Sequence, residues 1–110
     1  MKDNSLLKGA LSTLVLKLLA DNGQMYGYEI IQKIKEASAD QMKITEGALY
    51  PALHKLEQNG LLIAEHRPVS GRVRKYYSLS AKGKKASEDK LAQLKEFLSS
   101  VQMIITPKTV

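Results

Sequence analysis

The chain contains no cysteine and no tryptophan, and Phe97 is its only phenylalanine. Without cysteine it can form neither a disulfide framework nor a thiolate metal site, which suits a reducing compartment. The two histidines, His54 and His66, lie in different predicted elements without a companion carboxylate at ligand spacing, so we expect no metal site and no cofactor. A glycine-rich phosphate loop, a nucleophile elbow and an acid pair with mechanistic spacing are also missing, so an enzyme is the weakest functional interpretation.

Long apolar runs are missing as well. The longest are only a few residues long, whereas roughly 18 are needed to cross a bilayer, and no signal-peptide pattern precedes residue 5. With 110 residues and 44% hydrophobic content, the chain is long enough for one domain with a modest core. We therefore expect a soluble, cytoplasmic protein with no membrane partner.

Acidic residues are absent from residues 66–85. The whole chain has 17 Lys+Arg and 11 Asp+Glu, and seven of the cations lie in this window, which leaves 10 cations and 11 acids elsewhere. Nearly all of the net charge of +6 is therefore local. Such a stripe predicts a polyanion partner, because each cation placed on a phosphate releases counterions, although a charge run taken alone fits a solvated face equally well. The seven cations are Arg67, Arg72, Arg74, Lys75, Lys82, Lys84 and Lys85.

Helical spacing of apolar residues predicts three short helices in the first half of the chain. The first covers residues 5–20, and the second begins near residue 26 and fades over residues 37–43. Thr45 can cap the third helix, which ends at residues 59–60, and Pro51 predicts an irregular start or a kink. Its buried seam should be Leu49, Leu53 and Leu56.

A β-hairpin and a long helix are predicted for the second half. Two alternating segments, 61–67 and 73–79, flank a turn over residues 68–72, and the pattern leaves open which face meets the core. Ser80 caps a last helix from residue 81 to about 105 with a heptad seam. This seam is longer than three short helices can cover, so we expect it to pair with a second copy of the chain. The expected dimerisation residues are Leu91, Leu94, Phe97, Leu98, Val101 and Ile105.

The order α-α-α-β-β-α predicts a mostly α protein with a two-stranded hairpin, the winged variety of helix-turn-helix. We expect a winged-helix DNA-binding domain over residues 5–79 and a dimerisation helix over residues 80–105. In such a domain the third helix can enter the major groove, and the hairpin, or wing, can contact phosphates or a minor groove. The candidate DNA-binding residues on the third helix are Thr45, Glu46, Gly47, Ala48, Tyr50, Pro51, His54 and Lys55, and those on the hairpin are Gly71, Arg72, Arg74, Lys75 and Tyr76.

Two further tyrosines flank a glycine at the start of the second helix. Tyr26 and Tyr28 are predicted to pack in the core, with a hydroxyl group that reaches a backbone group or a phosphate.

Three separated blocks resemble the PadR family of transcriptional regulators. They read MYGYEI at 25–30, TEGALYPALHKLE at 45–57 and RKYYSL at 74–79. The resemblance implies a winged-helix domain, a homodimer formed largely through the C-terminal helix, and repression by binding operator DNA. The single short C-terminal helix is similar to the compact subgroup, some of whose members bind small aromatic compounds near the dimer interface.

The chain departs from the family pattern in two places. Its hairpin tip reads SGRVR where the family often has a glycine pair and an unbroken basic run, so fewer wing contacts are expected. With no tryptophan and only Phe97, the last helix offers little for stacking a planar ligand, and the expected effector is a small hydrophobic one at the interface.

The sequence thus predicts a homodimeric PadR-like repressor that binds a pseudo-palindromic, double-stranded DNA operator. The alternative is a winged-helix adaptor that uses the basic hairpin on an acidic protein partner.

Overall fold

Four helices and three strands follow one another in the computed structural model, which describes residues 5–108. The predicted mostly α, winged-helix architecture is confirmed. In the described part of the chain no helix is long and apolar enough to span a bilayer. The elements are α1 (Ser5–Asn22), β1 (Met25–Tyr26), α2 (Gly27–Ala37), α3 (Glu46–Gln58), β2 (Leu62–Val69), β3 (Arg72–Leu79) and α4 (Ala81–Ile105).

The sheet has a third strand that the sequence pattern did not predict. Strand β1 pairs antiparallel with β3, so the strand order is β1-β3-β2. Met25 lies opposite Tyr77, and Tyr26 lies opposite Tyr76. Tyr77 is only 1% exposed, which identifies its face of β3 as the one against the core. Tyr26 and Tyr76 therefore lie on the outer face, because successive side chains of a strand alternate.

The hairpin turn is shorter than predicted. Strand β2 continues to Val69 and β3 begins at Arg72, so only Ser70 and Gly71 form the turn. Their φ angles are +49° and +78°, as a two-residue turn matched to the strand twist requires. Pro68 is accommodated inside β2 because β2 is an edge strand, where a missing N–H costs no interior ladder bond.

Helix α3 is fixed at both ends by its own sequence. The Thr45 hydroxyl accepts a hydrogen bond from the Ala48 N–H at 3.2 Å, so the predicted cap is confirmed. At the other end the Gly60 N–H donates to Glu57 and the Leu61 N–H donates to Leu56, both at 3.0 Å, which is a Schellman motif. The predicted seam of α3 is buried, and Pro51 lies inside the helix without ending it.

The start of α4 is held on the end of α3 by three carbonyl groups, an arrangement called the α3–α4 junction below. The Asn59 carbonyl accepts from the Lys82 ammonium at 3.1 Å. The Gly60 carbonyl accepts from the Ser80 hydroxyl at 2.6 Å, and the Leu61 carbonyl accepts from the Ser80 N–H at 3.0 Å. Lys82 therefore neutralises the negative end of the α3 dipole and is not simply part of a solvated basic run.

Gly83 completes this junction. The Ser80 hydroxyl accepts from the Gly83 N–H at 3.0 Å, so the predicted cap of α4 is confirmed. A Cβ atom built on Gly83 would lie 2.0 Å from the Leu61 carbonyl oxygen. The two backbones can approach this closely only because residue 83 has no side chain.

Helix α4 packs along α1 at its start and then projects from the domain. Gly83 and Ser87 are its only buried residues in the described chain. The radius of gyration is 15.7 Å, against about 13 Å for an ordinary globular chain of this length. Most of the predicted seam is consequently uncovered: Leu91, Leu94 and Val101 are half-buried, and Phe97, Leu98 and Ile105 are exposed.

Candidate nucleic-acid interface

The outward side of α3 carries the side chains expected there. Because the α3 seam faces the core, the opposite side of the helix is left to solvent. Tyr50 is 40% exposed, which leaves its hydroxyl group within reach of a ligand. The other exposed residues are Thr45, Glu46, Gly47, Pro51, His54 and Lys55, and Ala48 is half-buried.

A groove of about 300 Å³ separates α3 from the wing, defined here as β2, β3 and the turn between them. Of the predicted DNA-binding residues it brings together Tyr50 and His54 from α3 with Arg74 and Lys75 from β3. The other lining residues are Tyr26, Gly27, Val73 and Tyr77.

The remaining predicted residues lie outside the groove. Gly71 forms the hairpin turn and Arg72 follows it, so both are exposed at the tip of the wing. Tyr76 lies on the outer face of the sheet, half-buried beside Tyr26.

Lys75 is held by α3. Its ammonium group lies 3.0 Å from the Glu57 carboxylate and 5.3 Å from the centre of the Tyr77 ring. The hydrogen bond to Glu57 raises the pKa of Lys75, and the two side chains are 30% and 34% exposed. An ammonium has three N–H donors, so Lys75 can keep Glu57 and still donate to a phosphate. Glu57 ties the wing to α3, a role that the helix pattern did not predict.

The outer face of the sheet carries alternating arginine and tyrosine side chains. The Arg74 guanidinium lies 4.4 Å from the centre of the Tyr26 ring, and the Arg67 guanidinium lies 4.8 Å from that of Tyr76. The two tyrosine rings meet edge to face at 5.3 Å. Stacking fixes the plane of each guanidinium, and a stacked guanidinium can still present its N–H edge to a phosphate.

The two arginines differ in charge balance. Arg67 pairs with Glu65 at 3.4 Å and donates a hydrogen bond to Gln24. Hydrogen bonds from Gln24 and Arg67 lower the pKa of Glu65. Among the ion pairs of residues 5–108, none involves Arg74, so its charge is available to an anion from outside.

The Tyr50 phenol is partly withdrawn from water. Burial raises its pKa above the usual value, and the negative charge of Glu46 adds to the shift. Tyr50 therefore stays neutral near neutral pH and can both donate and accept a hydrogen bond.

The expected core packing was wrong for both tyrosines. Tyr28 is 55% exposed on the first turn of α2, and Tyr26 is half-buried on the outer face of the sheet, away from the core. Tyr28 precedes the buried Ile30 by two residues, a spacing that places the two on opposite sides of a helix. The spacing is visible in the sequence and could have predicted that Tyr28 is exposed.

No group of three or more His, Cys, Asp and Glu that could hold a metal occurs in residues 5–108.

Comparisons with known proteins agree with this geometry. Residues 15–89 match the transcriptional regulator PadR-like family. The transcriptional regulator Rv3488 of Mycobacterium tuberculosis is 36% identical over 87 residues, which cover 79% of this chain and 78% of that protein.

Solved structures share this fold over most of the chain. A transcriptional regulator from Clostridium thermocellum, Cth-833, has a TM-score of 0.85 at 25% identity, with coverage of 96% of this chain and 100% of that one. A PadR family transcriptional regulator from Eggerthella lenta has a TM-score of 0.79 at 27% identity, with coverage of 94% and 88%. The family match includes α2, α3 and the whole wing, so the chain belongs to the PadR-like family of transcriptional regulators.

Proposed function

We propose that this regulator is a cytoplasmic homodimer that represses transcription by binding a pseudo-palindromic operator. The observation that carries the proposal is the groove, which is lined by Tyr50 and His54 of α3 and by Arg74 of the wing, the arginine that stacks on Tyr26. A DNA backbone that follows this groove would contact Arg74 and Lys75 while α3 faces the bases. Phosphate contacts would set the register and Tyr50 and His54 would be placed to read sequence.

The second part of the proposal is the dimer. The exposed fractions of Phe97, Leu98 and Ile105 are 63%, 55% and 66%, and such a row of exposed apolar side chains on one helix supports pairing with a second copy of the chain. Pairing through α4 would give two copies of α3, as a two-fold operator requires. A small hydrophobic effector at this interface would then act by favouring one dimer geometry over another.

An adaptor function would use the same basic surface differently. A protein adaptor would bind DNA weakly and without sequence preference, whereas a repressor loses affinity steeply with salt and retains its preference. Footprinting on DNA upstream of its own gene and the neighbouring genes supplies the operator. Titration of operator and random duplexes at several salt concentrations then separates the two functions.

Replacing Arg72 by alanine should weaken binding to operator and random duplexes alike. Arg72 is exposed beside the hairpin turn, and if its guanidinium binds one phosphate, its removal should reduce the slope of log K against log salt by about 0.9. Lys33→Ala removes the same charge from the exposed part of α2 and should leave the slope unchanged. An unaltered slope in Arg72→Ala would mean that the wing tip does not touch DNA.

Replacing His54 by alanine should instead reduce sequence preference. His54 faces the groove from α3, and removing a side chain that binds a base edge should weaken operator binding by about 1–3 kcal/mol, with a much smaller effect on random DNA. Fluorescence anisotropy with both duplexes measures the difference. His66→Ala, a substitution of the same type on β2, is the control. Equal weakening on both duplexes would make His54 a backbone contact.

A further inference from the structure

The Tyr50 ring lies directly against the first residue of α2. A Cβ atom built on Gly27 would lie 2.6 Å from the Tyr50 hydroxyl oxygen, 2.9 Å from Cζ and 3.1 Å from Cε1. Side-chain carbons do not approach other heavy atoms so closely, so the observed position of the Tyr50 ring requires glycine at residue 27.

The backbone conformation at residue 27 does not itself require glycine. Gly27 is helical, and the glycines in the left-handed region are Gly23, Gly60 and Gly71. Alanine is also the better helix former. The absent side chain at residue 27 thus makes room for Tyr50 and serves no conformational need.

We propose that Gly27 is a positioning residue for operator recognition. Because it has no side chain, it leaves space for the Tyr50 ring in the groove between α3 and the wing. The proposal rests on the proposed function, in which Tyr50 contacts operator DNA. With a Cβ at residue 27 the ring must rotate away from α2, and the open side of the groove is the side that DNA would occupy. The displaced phenol would then obstruct the surface that it otherwise helps to form.

This displacement costs little in folding. The atoms that clash are the far end of a side chain that is 40% exposed, so the ring can move while the core does not. Gly27→Ala should therefore change DNA binding without destabilising the protein, which separates positioning from a structural role.

The test is a double-mutant cycle with operator and random duplexes. Gly27→Ala should lower the preference for operator by about tenfold, the effect expected for one good base contact, with an unchanged or higher Tm. In a Tyr50→Ala background the same substitution should have no further effect, because no ring remains to be displaced. Gly9→Ala is the matched control, since Gly9 is also helical and has no heavy atom within 4 Å of its built Cβ.

A second readout needs no DNA. In protein labelled with ¹³C-tyrosine, the ring resonances of Tyr50, assigned with Tyr50→Phe, should shift in Gly27→Ala. Their shift should be larger than that of the Tyr76 ring, which lies on the outer face of the sheet against Tyr26.

Each outcome has one meaning. If Tyr50→Ala loses operator preference and Gly27→Ala keeps it, the positioning role is wrong and the DNA contact of Tyr50 stands. If Gly27→Ala loses preference equally in both backgrounds, Gly27 acts through its backbone and the proposal fails. If Tyr50→Ala binds operator normally, Tyr50 has no role in recognition and neither does Gly27. If the unaltered protein has no preferred duplex, the proposed function itself is wrong.

Discussion

Replacing Gly83 by alanine is expected to lower the free energy of unfolding by about 3 kcal/mol, at the upper end of ordinary overpacking. The new Cβ would lie 2.0 Å from the Leu61 carbonyl oxygen and 3.0 Å from its carbon. These are backbone atoms, and the oxygen accepts the Ser80 N–H at 3.0 Å, so neither can rotate away as a side chain could. Relief requires α4 to move off the end of α3, which breaks the α3–α4 junction.

Urea denaturation measures this change, and Gly9→Ala is the control. Gly9 lies in α1 with open space around its built Cβ, so alanine there should stabilise the protein by up to about 1 kcal/mol through helix propensity. A Gly83→Ala protein as stable as the unaltered chain would show that the close approach of α4 to Leu61 is not needed for folding.

Replacing Leu98 by glutamate is expected to abolish self-association and weaken operator binding by about 100-fold or more. Leu98 is 55% exposed in the single chain, so the new carboxylate stays hydrated there and the fold should be unaffected. In a paired α4 seam the same carboxylate would be buried without a partner, at a cost that the interface cannot offset. One α3 per complex would remain, and the gain from binding two half-sites together would disappear.

Sedimentation equilibrium reports the oligomeric state, and anisotropy with the operator duplex reports the affinity. Ser99→Glu adds the same charge at the neighbouring exposed position, off the heptad seam, and should leave both unchanged. If the unaltered chain sediments as a dimer and Leu98→Glu does too, the main interface lies elsewhere, whereas an unaltered chain that sediments as a monomer would contradict the proposed dimer.

Features set by neighbouring residues were predictable from the sequence. The Thr45 cap and the Gly60 end of α3 each depend on hydrogen bonds within a few residues, and so does the Ser80 cap of α4. Local patterns carry this information because side chain and backbone meet within one helical turn. The same holds for the buried seam of α3, whose spacing follows from helix geometry alone.

Features that join distant residues were not predictable. Strand β1 is two residues long, too short to show alternation, and exists because it pairs with β3. Lys75 meets Glu57 across 18 residues, so its partner could not be read from the wing pattern. The inward face of β3 was ambiguous for a related reason. Lys75 and Tyr77 share it, and only packing against α3 shows that a charged side chain belongs there.

The α3–α4 junction fixes the angle between the two helices within each copy of the chain. If two copies pair through α4, the crossing angle of the α4 helices then sets the separation of the two α3 helices, which must match half-sites about 34 Å apart. A ligand that rotates one α4 against the other would change the separation of the α3 helices, so that it no longer matches the half-sites, without contacting a groove residue. The hydrogen bonds to the carbonyl groups of Asn59, Gly60 and Leu61 would then transmit a change in dimer geometry to the spacing of the two α3 helices, and so to the operator spacing that the dimer can bind.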